Sequence, residues 1–269
     1  MRRAGPCVAC VLAAVGCVRP AFAGDELPSW ARSEARPFVA TRAEAGSILR
    51  GTCDLGFGKP FWTWVGVETQ ALSSTESTTV TGTLTGYTPI ASVYLGARHW
   101  WSHGKGWLPA AAEYSAADLD HRVGPRVDMT TLLGSAKGWI PMGRFGIPLE
   151  ANWTYRLDGP FHQVFFDEPN RVIATGRQLW EANAGLAASL DARRTLWVSA
   201  QGEWLHVPSR SEGTTLRVGP AAFYAFNERW DVGMLFLFAV YSPDRLGFVS
   251  AATGAAVVRW SWATGVASR

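Results

Sequence analysis

Residues 144–158 read RFGIPLEANWTYRLD, and the odd and even positions of this stretch separate completely. Phe145, Ile147, Leu149, Ala151, Trp153, Tyr155 and Leu157 share one face, while Arg144, Glu150, Arg156 and Asp158 share the other. A period of two is that of a β-strand with one apolar side. The length narrows the reading further. Strands of soluble sheets usually run about 3 to 10 residues, whereas a tilted strand that crosses a membrane needs about 9 to 11 in hydrocarbon plus its ends. The stretch therefore predicts a membrane-crossing strand.

The same alternation recurs over residues 61–72, 88–101, 127–140, 178–191, 195–207, 214–227, 230–241 and 253–262. One irregular strand fits within 47–55. With it the count is ten; counting from residue 88 alone gives eight, and ten is preferred among the even numbers that single-chain bacterial barrels use. Residues 24–58 otherwise show no sustained period and read as a periplasmic segment. Serine and threonine crowd 73–85, which reads as a solvated connection or a short polar strand.

Connections alternate in length. They are long after Trp101 and Asp158 and short after Ile140, Asp191 and Asn227. If the short turns face the periplasm, as in outer-membrane barrels, strand direction fixes the height of each outward aromatic. Trp101, Trp153, Tyr155, Trp180 and Trp204 then lie near the outer ends. Phe145, Tyr224, Phe226, Trp230, Trp260 and Trp262 lie near the inner ends. Two such levels are expected where a bilayer meets water, because an amphipathic ring suits the headgroup region.

On these patterns, over roughly residues 59–262, the chain resembles small bacterial outer-membrane β-barrels as a general class. The resemblance implies an antiparallel up-and-down barrel in the outer membrane, in contact with lipid and lipopolysaccharide, monomeric, with Trp260 and Trp262 as the terminal aromatics that barrel-assembly machinery recognises. The competing architecture is a secreted β-sandwich or lipocalin-like barrel with its apolar face inward.

Composition fits export. Arg2 and Arg3 precede an apolar stretch over 7–18 and then Ala21-Phe22-Ala23, so residues 1–23 read as a signal peptide cut after Ala23. A second reading lipidates Cys17 at Ala14-Val15-Gly16-Cys17. The signal holds Arg2, Arg3 and Arg19 and no acid; without those three of 25 basic residues, 22 remain against 22 acidic ones. A neutral mature chain gives no argument for nucleic-acid binding. Three of the four cysteines leave with the signal, and Cys53 alone supports neither a disulfide framework within the chain nor a cysteine metal site. Beyond the signal no run of about 18 apolar residues predicts a membrane helix, yet 48% of the sequence is hydrophobic and it holds 14 tryptophans, more than a soluble core of this size calls for. The predicted layout is signal 1–23, periplasmic segment 24–58, barrel 59–263 and tail 264–269.

Candidate chemistry is sparse. Ser102 and His103 are neighbours near a strand end, and Asp118, Asp120 and His121 share the following loop, 102–125, but nucleophilic catalysis needs a base in reach of the hydroxyl and a third group orienting it. The sequence gives no such geometry. Asp118, Asp120 and His121 could also chelate a cation, although alternating acids in a solvated loop are a weak signal; no cofactor or metal is expected. The sequon Asn152-Trp153-Thr154 falls inside the clearest strand and is set aside. In loop 159–176, Phe161, Phe165 and Phe166 form either an exposed surface for a partner or a segment folded back as a plug.

The polar faces predict the lumen. With apolar faces on lipid, Glu68, Arg98, Lys137, Glu150 and Arg156 point inward, as do Glu181, Glu203, Arg217 and Arg259. Both signs alternate around the wall and are expected to pair, filling a barrel of about eight to ten strands with side chains. The functional expectation is a structural or surface-binding barrel acting through its outer loops. A narrow solute channel and a loop-sited lipid hydrolase are the alternatives.

Overall fold

A strand with one apolar and one polar face needs two different surroundings, and a sheet closed on itself separates them while leaving no unpaired edge. The computed structural model describes residues 28–46, 48–168, 170–246 and 252–264. The expected signal, Cys17, and residues 265–269 of the expected tail lie outside them. The wall runs through β1 (Arg36–Gly46), β2 (Leu49–Lys59), β3 (Thr63–Ser73), β4 (Ser77–Tyr87), β5 (Ala91–Leu108), β6 (Val123–Met142) and β7 (Phe145–Arg156). A short hairpin follows, β8 (Val164–Asp167) and β9 (Val172–Ala174), and the wall resumes with β10 (Gln178–Ser189), β11 (Leu196–His206), β12 (Thr214–Ala225), β13 (Trp230–Tyr241) and β14 (Ala252–Ala263). Successive wall strands pair antiparallel, and β1 pairs with β14, Ala43 opposite Trp260, to close the ring.

The ring holds twelve strands, not ten or eight. The two additional strands are β1 and β4, and each hides its period for a physical reason. The outward positions of β1 are Pro37, Val39, Thr41, Ala43 and Ala45, small side chains that barely contrast with Arg42 and Glu44 opposite. On β4 the inward face is Ser77, Thr79, Thr81, Thr83 and Thr85, so the serine–threonine run is itself the alternating signal, written in β-branched polar residues. The irregular strand expected within 47–55 falls on the first part of β2. Strands β5 and β6 also run past the expected ends, which shortens the loop between them to 109–122 and places in it a single 3-10 turn, Ala116–His121.

The turns repeat the asymmetry read from the sequence on one side of the ring. Met142 pairs with Phe145 across a two-residue turn in which Gly143 takes φ 67, a left-handed backbone that favours glycine. At the opposite end the connections after β5 and β7 are long, while those after β1 and β3 are as tight as the turns.

Apolar side chains face out. Leu84 is 68% exposed, Leu49 64% and Val65 63%, and Leu55, Leu95, Leu186, Phe236 and Val240 are likewise exposed around the wall. Charged side chains along the middle of the wall face in, while Asp128, near the loop end, faces out beside His99. This is the reverse of a soluble barrel, and a contiguous apolar exterior on a closed sheet is what hydrocarbon requires. The lipocalin-like arrangement is thereby excluded, and the fold is that of a transmembrane β-barrel.

Inside, three levels follow one another. At the end of the short turns, α1 (Ser29–Arg32) enters the mouth and Trp30 packs with Phe38, Ala40, Trp64 and Ala263. Beside it Trp139, Trp197 and Phe223 form a second cluster; the Trp139 ring lies where any side chain on Gly146 would have to go. Charges occupy the middle. At the loop end, the β8–β9 hairpin fills the mouth with Phe165, Phe166, Val172 and Ile173.

Candidate functional site: a charged chamber between two apolar plugs

The register of the wall places the inward charges in rows, because residues paired across antiparallel strands share a height and a face. Asp231, Arg259, Glu44 and Arg50 are successive partners across β13, β14, β1 and β2, giving alternating signs on four neighbouring strands. Arg259 Nε donates to Glu44 Oε1 at 2.9 Å and lies 3.7 Å from Asp231 Oδ1, and Arg50 Nη1 lies 3.1 Å from Glu44 Oε2. A second row runs Lys137, Glu150, Asn183, Glu203, Arg217 across β6, β7, β10, β11 and β12. Its ends pair: Lys137 Nζ with Glu150 at 3.1 Å, and Arg217 Nη1 with Glu203 at 2.5 Å. Between the rows Arg42 reaches Glu68 at 2.6 Å and Asp54 at 3.4 Å.

All nine charged residues expected in the lumen face inward, and they meet different partners. Glu68, Lys137, Glu150, Glu203, Arg217 and Arg259 join ion pairs. Arg156 lies over the ring of Phe165, its guanidinium carbon 4.6 Å from the centroid. Glu181 departs from the expected charge pairing, since it accepts from Asn183 Nδ2 at 2.6 Å. Arg98 lines the chamber beside threonines. Sequence reasoning missed Arg42, Glu44, Arg50, Asp54 and Asp231, most of them on the two strands it read as one irregular segment; the spacing of Arg42 from Glu44 was the available signal. Of these groups Arg42, Glu44, Arg50, Glu68, Arg98, Lys137, Glu150 and Glu181 line a cavity of about 220 Å³.

The loop-end plug is latched to this network. Arg217, its side chain 1% exposed, donates from Nη2 to the carbonyl of Arg171 at 2.8 Å and from both terminal nitrogens to that of Asn170 at 3.1 Å. Phe165 and Phe166 are 1% and 4% exposed, so they do not form an outward contact surface. Phe165 packs against Trp100 and Trp107, and Trp107 is its backbone partner on β5. Phe161 alone stays at the rim, under the guanidinium of Arg177 at 3.8 Å. Burying each large apolar side chain of the hairpin contributes roughly 1.5–3 kcal/mol, enough to hold a short insert that has only three residues of its own ladder.

Glu168, at the hairpin tip, is buried where Arg122 approaches at 3.2 Å. Burial, reinforced by Glu76 and Asp167, pushes its carboxyl up to about 8, and Ser77 and Arg122 pull the other way without prevailing. At the opposite mouth, Glu228 accepts from the backbone N–H and the hydroxyl of Ser29, and Lys59 Nζ donates to Ala31 O at 2.8 Å, so α1 is fastened to two turns.

The candidate catalytic groups are dispersed. Ser102 is buried, donating to Gly104 O at 2.7 Å and accepting from Val127 N at 2.9 Å. His103 faces outward, its Nε2 2.9 Å from Thr78 Oγ1. The Asp118 carboxylate accepts from the N–H and hydroxyl of Ser115 as a cap on the 3-10 turn, contacts that hold it below the usual carboxylate range.

The outward aromatics sort by height. Trp153 pairs with Trp180 across β7 and β10, ring centroids 6.4 Å apart, and Trp153 also meets Tyr155. Trp204 stacks on His206, and Trp101 lies against His99. At the turn end Trp230 pairs with Trp260, Tyr224 meets Phe226 edge-on, and Phe145 and Trp262 are exposed beside them.

No family model matches the sequence, and no curated protein matches it. Among solved structures, the chain is similar to the NanC porin at 6% identity and TM-score 0.40, covering 84% of this chain and 97% of that one. It is also similar to the KdgM porin at 9% identity and TM-score 0.38, covering 84% and 99%, and to the Acinetobacter baumannii outer membrane protein Omp33 at 12% identity and TM-score 0.38, covering 85% and 99%.

Proposed function

We propose that this chain is an integral barrel of the bacterial outer membrane whose lumen is closed at rest, serving as a structural or surface-binding protein through the loops at its long-loop end. The observation that carries the reading is the β8–β9 hairpin in the mouth, clasped by Arg217 and packed through Phe165, Phe166 and Ile173. A twelve-stranded ring is wider than one that wall side chains alone would fill; here inserted backbone, the hairpin at one end and α1 at the other, takes up the difference. The two levels of outward aromatics support a bilayer between them, with loops outside and turns in the periplasm. The wall closes within one chain, which supports a monomer, and Trp260 and Trp262 on the last strand are the residues offered to assembly machinery. Lipopolysaccharide and any surface ligand would meet the exposed loop residues Glu113, Asp120, His121 and Arg245, since Phe165 and Phe166 are turned inward.

A narrow channel is the second reading, favoured by the cavity beneath the hairpin, which a wholly filled lumen would not leave. Planar-bilayer recording of the purified native barrel separates the two. The closed reading expects no steady conductance, with at most brief openings. Large, stable unitary currents would overturn it in favour of the channel.

A further inference from the structure

The charges that line the chamber stand in ion pairs along or between the register rows, except two that meet no opposite charge among the described residues. Arg98 on β5 lies between Thr81 of β4 and Thr131 of β6. Its Nε is buried without a hydrogen-bond partner, and no acid reaches its guanidinium among the described residues. Glu181 on β10 lies between Asn152 of β7 and Leu205 of β11. Its carboxylate accepts from the Asn183 amide, and no cation reaches it among the described residues. Both side chains line the same cavity of about 220 Å³. The other cations lining it have acids beside them: Arg42 has Glu68, Arg50 has Glu44 and Lys137 has Glu150.

We propose that this chamber binds a small zwitterion, its carboxylate taken by Arg98 and its ammonium by Glu181. A guanidinium offers paired donors in the plane that a carboxylate accepts, and the Glu181 carboxylate accepts the hydrogens of an ammonium. Arg98 calls for an anion, and Glu181, crowded by the acids Glu203 and Glu150, calls for a cation, so a ligand that carries both signs and no net charge satisfies the two walls at once. A ligand of single charge satisfies only one of them. The threonine hydroxyls beside Arg98 and the amide of Asn152 beside Glu181 supply the neutral hydrogen bonds such a solute needs. The cavity is smaller than the roughly 300–1,000 Å³ of pockets for drug-sized ligands, which selects a solute on the scale of an amino acid. This binding holds whether or not the barrel conducts, so it stands or falls separately from the closed-lumen reading.

The test is calorimetric titration of the full-length barrel, refolded in detergent micelles, with glycine, β-alanine, 4-aminobutyrate and 6-aminohexanoate, a series of increasing charge separation. Acetate and methylammonium are the single-charge controls. At least one member of the series is expected to bind about tenfold or more tightly than either control, and Arg98→Gln and Glu181→Gln are each expected to weaken that binding by about tenfold or more while the heat-modifiable migration of a folded barrel is retained. Should Arg98→Gln fail to fold, Arg98→Lys, which keeps the charge and loses the planar pair of donors, is read in its place with the same expectation. Absence of binding across the series, equal binding of the controls, or undiminished binding by the variants overturns the proposal.

Discussion

Glu203 of β11 and Arg217 of β12 face each other in register, meet at 2.5 Å, and leave the guanidinium almost no contact with solvent. The same arginine holds the backbone of Asn170 and Arg171, so one side chain ties the wall to the plug. Replacing it by alanine strands Glu203 in the interior and frees two carbonyls. Arg217→Ala is expected to destabilise the barrel by about 3–5 kcal/mol, the range for breaking a dry buried pair, and to admit frequent openings in a bilayer. Urea unfolding and single-channel recording measure both; native stability with a silent membrane would sink the clasp.

Glu150 and Glu181 predict opposite outcomes from the same substitution. Glu150→Ala removes the partner of Lys137 and is expected to cost less than the ~3–5 kcal/mol of a fully dry pair, because Lys137 borders the chamber. Glu181→Ala removes a carboxylate that no cation balances among the described residues, and stability should stay level or rise. Paired unfolding curves at one pH decide it, and equal losses would contradict the row pairing.

The hairpin is expected to loosen as pH rises. Glu168 has a folded pKa of about 8 against about 4.3 for an exposed glutamate, so between these values the folded state holds a proton that the released segment does not. Stability of the docked tip is then greatest below about 4.3, declines through that window, and levels off above about 8. Hydrogen exchange over residues 164–174 should quicken along this course. Glu168→Gln should flatten the profile, and an unchanged slope in that variant would assign the effect to another group.

Membrane residence has a direct check. After a carbonate or urea wash of cell envelopes the protein is expected to stay in the pellet, held by the apolar exterior. Appearance in the wash would remove the basis for placing lipid against Leu84, Leu49 and Val65.

Strands rich in large apolar residues were legible because hydrocarbon imposes contrast: residues 144–158 and 230–241 alternate since one face must be greasy. That pressure relaxes where the outward residues are small, so β1 passed as a leader, and where the inward residues are threonines, so β4 passed as a linker. The inward direction of the charges followed from the period once the loop lengths and the two aromatic levels had put lipid against the apolar face. Their partners did not, because pairing depends on register between strands far apart in sequence, as Glu44 with Arg259 illustrates. Nor does the alternation of a wall strand tell whether an aromatic loop turns in or out. Phe165 and Phe166 go inward because a twelve-stranded mouth leaves apolar space beside Trp100 and Trp107, and ring size was the quantity the sequence under-reported.

The contact between Glu44 and Arg259 joins residues 215 positions apart and belongs to the seam where the first wall strand meets the last. With β1 in place, a slip of β14 by one residue along that seam would turn Arg259 and Ser261 toward lipid and Val258 and Trp260 toward the lumen. The seam therefore acts as a checksum on the whole wall: it can be read only after the final strand arrives, and a misaligned closure confronts hydrocarbon with bare charge. Truncating β14 back through Arg259 leaves β1 with an open edge and Glu44 with only one of its two cations, Arg50, so the chain should reach its closed form as one unit or not at all.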